Sequence, residues 1–180
     1  MIYEIKKWFT FINWEPTCEE LRQAIGFFSV DRREVREHFK NLSWSADRTD
    51  QEASIEYLAN NLLPGEYVHL IFPDDYSNSR NPFEEDLWYR NAGEKEYWEN
   101  AARIIIKIGW PKIESIVVPL FMWLLDPNWP GSELIYNYLM TIPSDVLLDK
   151  MRQVENNQSK YQKYDYADLL VIFSDMREGM

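Results

Sequence analysis

The sequence predicts an all-α fold, a stack of about eight to nine short helices. Three observations carry that expectation. Apolar residues recur at three- and four-residue spacing in one segment after another. Pro and Gly punctuate the intervals, at Pro16, Pro64-Gly65, Gly109 to Pro111, Pro127 to Pro130 and Pro143. Only Tyr67 to Phe72 is short and β-prone, and a lone strand without a partner is marginal.

Taken in order, Ile5, Trp8, Phe9 and Ile12 mark one face of a first helix ending before Pro16. Thr17 and Glu20 have capping-box spacing, and Leu21, Ala24, Ile25 and Phe28 follow on one face. Asp31 with Glu34 repeats the signature before the stripe Val35, Phe39 and Leu42. Thr49 with Glu52 repeats it again before Ile55, Leu58, Ala59 and Leu62, and Pro64-Gly65 stops that helix. The run Tyr67 to Phe72 is expected to lie buried, as an extended or short helical segment. Asp74 to Asn81 is polar and reads as a long connection, a feature often functional in a compact helical domain. Asn81-Pro82 opens a short helix carrying Glu84, Glu85, Asp86, Leu87, Trp88 and Tyr89.

From Glu94 a helix places Tyr97, Ala101, Ile104, Ile105 and Ile108 inward, and Gly109 closes it in a backbone conformation that a Cβ disfavours. A short turn at Ile113 to Val117 leads to a helix from about Pro119 to Leu125 with almost no polar face, which demands burial. Asp126 to Pro130 is a turn, and Pro130 starts a helix bearing Leu134, Ile135, Tyr138, Leu139 and Ile142. Ser144 caps a helix with Leu147, Leu148, Met151 and Val154 inward. Asn156 to Ser159 is a loop, and Tyr166, Leu169, Leu170 and Phe173 stripe the last helix. Helix pairs of about 35–45 residues without a strict period suggest an irregular HEAT-like stack. By length the chain is a single domain, with N-terminal helices over 1–63, an irregular loop-rich segment over 64–93 and HEAT-like helices over 94–180.

The run Leu124-Leu125-Asp126-Pro127-Asn128-Trp129-Pro130, with an apolar helix on each side, resembles a bacterial HEAT-like helical domain of unknown function. Trp123, Leu124, Asp126, Asn128, Trp129 and Pro130 stand at the positions of that domain's packing motif. Gly131-Ser132-Glu133 follows where the domain often has small residues, and the likeness covers roughly residues 107–176. Such domains are similar to small helical proteins found among bacterial toxin-immunity genes. The resemblance therefore implies an immunity protein, as an analogy rather than a mechanism.

Charge bounds the partner. The formal net charge is −11, and acids exceed bases in 1–60, in 61–110 and in 111–180 alike. No lobe is basic, which argues against direct nucleic-acid binding, since phosphates need clustered Lys and Arg. An acidic exterior favours a basic protein partner, for which a nuclease toxin domain is an example. Cys18 is the single cysteine, so no disulfide or thiolate cluster is expected. No apolar run approaches a membrane span, the N-terminal residues lack the order of a signal peptide, and a cytoplasmic protein without membrane contact is expected.

Reactive constellations are scarce. His38 and His69 are the only histidines, there is no Gly-rich phosphate loop and no nucleophile elbow, and neither metal nor other cofactor is expected. Cys18 at a helix start has no base assigned to it by sequence. Glu84, Glu85 and Asp86 beside Trp88 and Tyr89 leave a carboxylate hydrolase of sugars or nucleotides as the rival reading. A structural scaffold or homodimer is a third. The combination of carboxylates and aromatic anchors in Asp74, Asp75, Tyr76, Glu84, Glu85, Asp86, Trp88 and Tyr89 fits partner binding best, with no catalytic residue.

Overall fold

In the computed structural model the residues described are 16–27, 29–71, 94–157 and 166–180. The first predicted helix, residue Phe28 and the segment from Phe72 to Gly93 lie outside them, with the predicted partner-binding residues among the latter. The described residues are helical throughout their regular structure and contain no strand. In chain order the α-helices are α1 Cys18–Gly26, α2 Arg33–Lys40, α3 Arg48–Asn61, α4 Trp98–Ile108, α5 Val117–Trp123, α6 Ser132–Leu139, α7 Ser144–Asn156 and α8 Tyr166–Gly179. Four 3₁₀ turns sit between or before them, at Val30–Arg32, Pro64–Leu70, Glu94–Tyr97 and Glu114–Ile116.

Within the β-prone run, Tyr67 to Leu70 belong to the 3₁₀ segment Pro64–Leu70, and that segment is the hub. Pro64–Leu70 packs on α1, on α4 and on the turn Glu114–Ile116, and every residue from Gly65 to Ile71 is buried. Gly65 makes this possible. A Cβ there would stand 2.2 Å from the Glu20 carbonyl oxygen and 2.8 Å from Gln23 Cβ, so only glycine lets the two backbones approach. The Gly65 N–H donates to Gln23 Oε1 at 2.9 Å.

Glu66 points its carboxylate into the interior with no accessible surface. Arg32 meets it through Nε, 2.7 Å from Oε1, and through Nη2 on Oε2. The Leu63 N–H donates to Oε2 at 2.8 Å, and Arg32 Nη2 also donates to the Asn61 carbonyl at 2.8 Å. A buried carboxylate is tolerated only when paired and hydrogen-bonded in this way. The pairing also explains the failure of the predicted Asp31–Glu34 cap. Val30–Arg32 is wound into a 3₁₀ turn that aims Arg32 at Glu66, and the residue preceding it, Ser29, makes no side-chain cap bond.

His69 lies in the same segment, stacked on Phe27 at 4.0 Å between centroids, with Nε2 3.4 Å from the Ala24 carbonyl. Phe27 in turn meets Phe39 edge-on at 5.4 Å. Phe27 is thus the buried aromatic that ends α1. Burial pushes the His69 imidazole down to about 3, the Ala24 carbonyl pulling weakly the other way.

The second half of the core forms around α4, whose buried face is Ala101, Ile104, Ile105 and Ile108, as the spacing predicted. It packs on α3 and α6 as well as on the hub. Pro119 stands third in α5 rather than at its start, inside the first turn where no N–H is required of it. Trp123 is fully buried and donates its indole N–H to the Pro130 carbonyl at 2.9 Å. Trp98 meets Trp123 and Trp129 edge-on at 6.1 and 5.4 Å. Such aromatic pairs are worth about 0.5–1.5 kcal/mol each beyond their burial. Gly131, with φ of 81°, turns the chain into α6, where a Cβ would stand 2.8 Å from the Ala102 methyl.

Further boundaries shift for identifiable reasons. Asp47, not Thr49, caps α3, accepting the Thr49 N–H at 2.8 Å. Pro143 precedes α7, so Ser144 is its first residue and caps nothing. On α8 the buried residues are Leu169, Phe173 and Met176, whereas Leu170 is 38 % exposed. The Thr17–Glu20 box forms as expected, with both reciprocal bonds made.

Replacing Arg32 by Met strands a buried carboxylate and is expected to cost about 3–5 kcal/mol in urea unfolding. Arg32→Met with Glu66→Leu should cost much less than the two single changes together. The histidine predicts a pH slope. Folded His69 stays neutral while the unfolded chain takes a proton near its ordinary 6.5, so stability is full above that pH and falls as pH drops toward 3. The slope is at most about 1.4 kcal/mol per unit. Between pH 6.5 and 5, His69→Phe should flatten the urea midpoint's dependence on pH.

Candidate functional site

Two places among the described residues gather polar side chains about an unusual group. The first lies between α2 and α3. Ser54 Oγ sits 2.9 Å from His38 Nδ1 and accepts from Asn41 Nδ2 at 3.2 Å, and the His38 ring stacks on Tyr57 at 3.9 Å. Burial raises the Tyr57 phenol above its ordinary range, and the hydrogen bond and charge of Glu34 add to that. A serine within reach of a histidine has the outline of a nucleophile and its base. Ser54, however, has no accessible surface and already receives the Asn41 amide, which leaves no approach for a carbonyl or phosphoryl group. The cluster is a polar seam that fixes the packing of α2 on α3. His38 and His69 are therefore both packed rings, in the surroundings their apolar neighbours in sequence suggested.

The second place is the turn from Asn41 to Ala46. It carries Trp44, 55 % exposed, between two serines. Its backbone is closed by Leu42 N–H to the Phe39 carbonyl at 3.1 Å and Ala46 N–H to the Ser43 carbonyl at 3.1 Å. The two serine hydroxyls are 2.7 Å apart, and Ser43 Oγ accepts the Ser45 N–H. From behind, Asn100 of α4, itself buried, donates Nδ2 to the Leu42 carbonyl at 2.8 Å and to Gln51 Oε1 at 3.1 Å. Gln51 Nε2 holds the Ala46 carbonyl at 2.8 Å. Arg103 fixes Asn100 by donating Nη1 to its Oδ1 at 3.0 Å, and grips Glu52 with Nη2 at 2.6 and 2.7 Å. The turn is thus bonded at both ends to the inner helices, with the indole at its tip.

Charge surrounds this turn. Asp47 caps α3 and Asp50 lies in its first turn, with Arg48 between them. The Thr49 backbone N–H holds the Asp47 carboxyl below its ordinary range. Glu52 and Glu56 are likewise lowered, by Arg103 and Lys107 respectively, which tie α3 to α4 as exposed ion pairs of small individual worth.

The predicted partner-binding residues Asp74, Asp75, Tyr76, Glu84, Glu85, Asp86, Trp88 and Tyr89 lie outside the described residues. Trp44 was missed by sequence reasoning, although its signal was present. It falls two residues after Leu42, out of phase with the stripe Val35, Phe39 and Leu42, and it is flanked by Ser43 and Ser45. No group of three His, Cys, Asp or Glu side chains among the described residues is placed to hold a metal ion, and no described helix is long and apolar enough to cross a membrane. Cys18 is exposed at the start of α1.

Comparison with family models, curated proteins and solved structures finds no match to this chain.

Asn100→Leu leaves the buried Leu42 carbonyl without its donor and is expected to cost about 1–3 kcal/mol. The same variant should speed amide exchange at Ala46, read by nuclear magnetic resonance, more than at the centre of α7.

Proposed function

We propose that this chain is a non-catalytic, protein-binding protein, an immunity protein that neutralises a bacterial toxin by covering a basic active site such as that of a nuclease. The observation that carries this reading is the acid excess. Thirty Asp and Glu stand against nineteen Lys and Arg, and the excess recurs in every part of the chain. An extended field of one sign attracts a basic partner from a distance and rejects acidic ones. It also occupies the place that a polyanionic substrate would take in a nuclease, so inhibition follows from charge and bulk together, without chemistry.

The HEAT-like resemblance of residues 107–176 supports the class of protein, and the all-helical packing is the scaffold such a reading needs. The contact surface assigned to it joins Asp74, Asp75, Glu84, Glu85 and Asp86 with Tyr76, Trp88 and Tyr89, carboxylates for steering and aromatics for adhesion. In this arrangement the carboxylates govern the rate of encounter and the rings govern the lifetime of the complex.

The partner is sought first in the reading frame beside this one. Against that protein, the variant with Asp74, Asp75, Glu84 and Glu85 changed to Lys should associate at least tenfold more slowly than wild type by surface plasmon resonance. The wild-type association rate should itself fall as salt rises from 50 to 500 mM, roughly the range over which the Debye length shortens from above 10 Å to a few ångströms. Equal rates for wild type and variant would remove these residues from the interface.

A further inference from the structure

Beyond those eight residues, the described part of the molecule presents an anchor of its own. A tryptophan kept more than half exposed gives up burial that its neighbours Leu42 and Phe39 obtain in full. Here the exposure is imposed by the backbone. Leu42 and Ser43 are buried, Asn100 and Gln51 hold the carbonyls of Leu42 and Ala46, and the indole is left pointing away from the core between them. A large, amphipathic ring on a turn already fixed in place loses little conformational entropy when a partner covers it, which is the property of an interface hot spot. Its surroundings select the partner. Asp47, the cap of α3, and Asp50 in its first turn stand exposed and have no ion pair among the described residues, although one Asp47 oxygen accepts the Thr49 N–H, whereas Glu52 and Glu56 are already matched by Arg103 and Lys107. Arg48 offsets one of the two carboxylates.

We infer that Trp44 is the apolar anchor of a docking surface for a basic protein, inserting into a notch on that partner while Asp47 and Asp50 pair with Lys or Arg at the notch's rim. This rests on the reading of the chain as a binder of a basic protein, and it adds a contact site in the segment Asn41 to Asp50. The indole supplies lifetime and the two carboxylates supply orientation. The partner surface it fits is a shallow apolar pocket bordered by cations.

The test uses the full chain and the product of the reading frame beside it, purified separately and titrated by isothermal calorimetry. Trp44→Ala should weaken binding roughly 30-fold or more, the scale of a hot-spot truncation. Its circular dichroism and urea midpoint should match wild type, because the ring contributes little to the core. Trp44→Phe should recover part of the loss, and Asp50→Lys, which leaves the Asp47 cap in place, should slow association. An unchanged affinity in Trp44→Ala, with the Asp74, Asp75, Glu84 and Glu85 to Lys variant weakened, overturns this inference and leaves the functional reading standing. No binding by wild type overturns both.

Discussion

Burial of the Glu66 carboxylate is the constraint on which the rest of the structure depends. An ionised group with no access to water must be compensated completely, and here the compensation comes from Arg32, thirty-four residues earlier, and from the Leu63 N–H. That requirement fixes the place of the 3₁₀ turn before α2, the path of the chain after α3, and the depth at which Pro64–Leu70 lies. Gly65 sets the distance to α1, since nothing larger fits against the Glu20 backbone. His69 then occupies a site from which water is excluded, stacked on Phe27, and stays neutral. One segment therefore carries a paired charge, a close backbone contact and a neutral imidazole, all facing different neighbours.

The consequence for function is rigidity of what is displayed outside. Because the hub packs on α4 and α4 packs on α3, Asn100 and Arg103 arrive at fixed positions behind the turn that bears Trp44. The polar network there is made of neutral amides and one guanidinium, each with partners, so it specifies position without leaving a bare charge inside. On the proposed reading the same helices serve two ends. Their inner faces make a core dense in aromatic contacts, and their outer faces carry the negative field that steers a basic partner toward the anchor.

How much of this was legible in the sequence follows from how local each interaction is. The capping box at Thr17 and Glu20 was readable because both bonds close within four residues, and the inward face of α4 because its periodicity is strong. The helix class was likewise visible. Asp31 and Glu34 carry the same local signature as Thr17 and Glu20, yet it is overridden, because Arg32 is drawn to a partner far along the chain. Leu170 was placed inward and is exposed, since the face of α8 is set by Met176, which continues the Leu169 and Phe173 row. The role of Glu66 could not be read from its spacing. Its only hint was a charge inside Pro64 to Leu70, between a Pro-Gly pair and an apolar run. Trp44 left a clearer trace, a tryptophan out of phase with the stripe before it and bracketed by serines, but periodicity marks what is buried and so does not mark it. The residues on which sequence reasoning rested its interface, Asp74 to Tyr89, lie outside those described, so the acid excess of the whole chain remains their support.

Pro64–Ile71 joins the helices before it and after it into one cooperative body. Native-state hydrogen exchange tests this most directly, through the amides of Leu62, Ile71 and Gly109, which bond to the carbonyls of Leu58, Val68 and Ile105. All three should exchange with the free energy and denaturant dependence of global unfolding. If Ile71 instead exchanges through a smaller, denaturant-insensitive opening while Gly109 remains protected, the segment is a passenger rather than the hub, and the account fails.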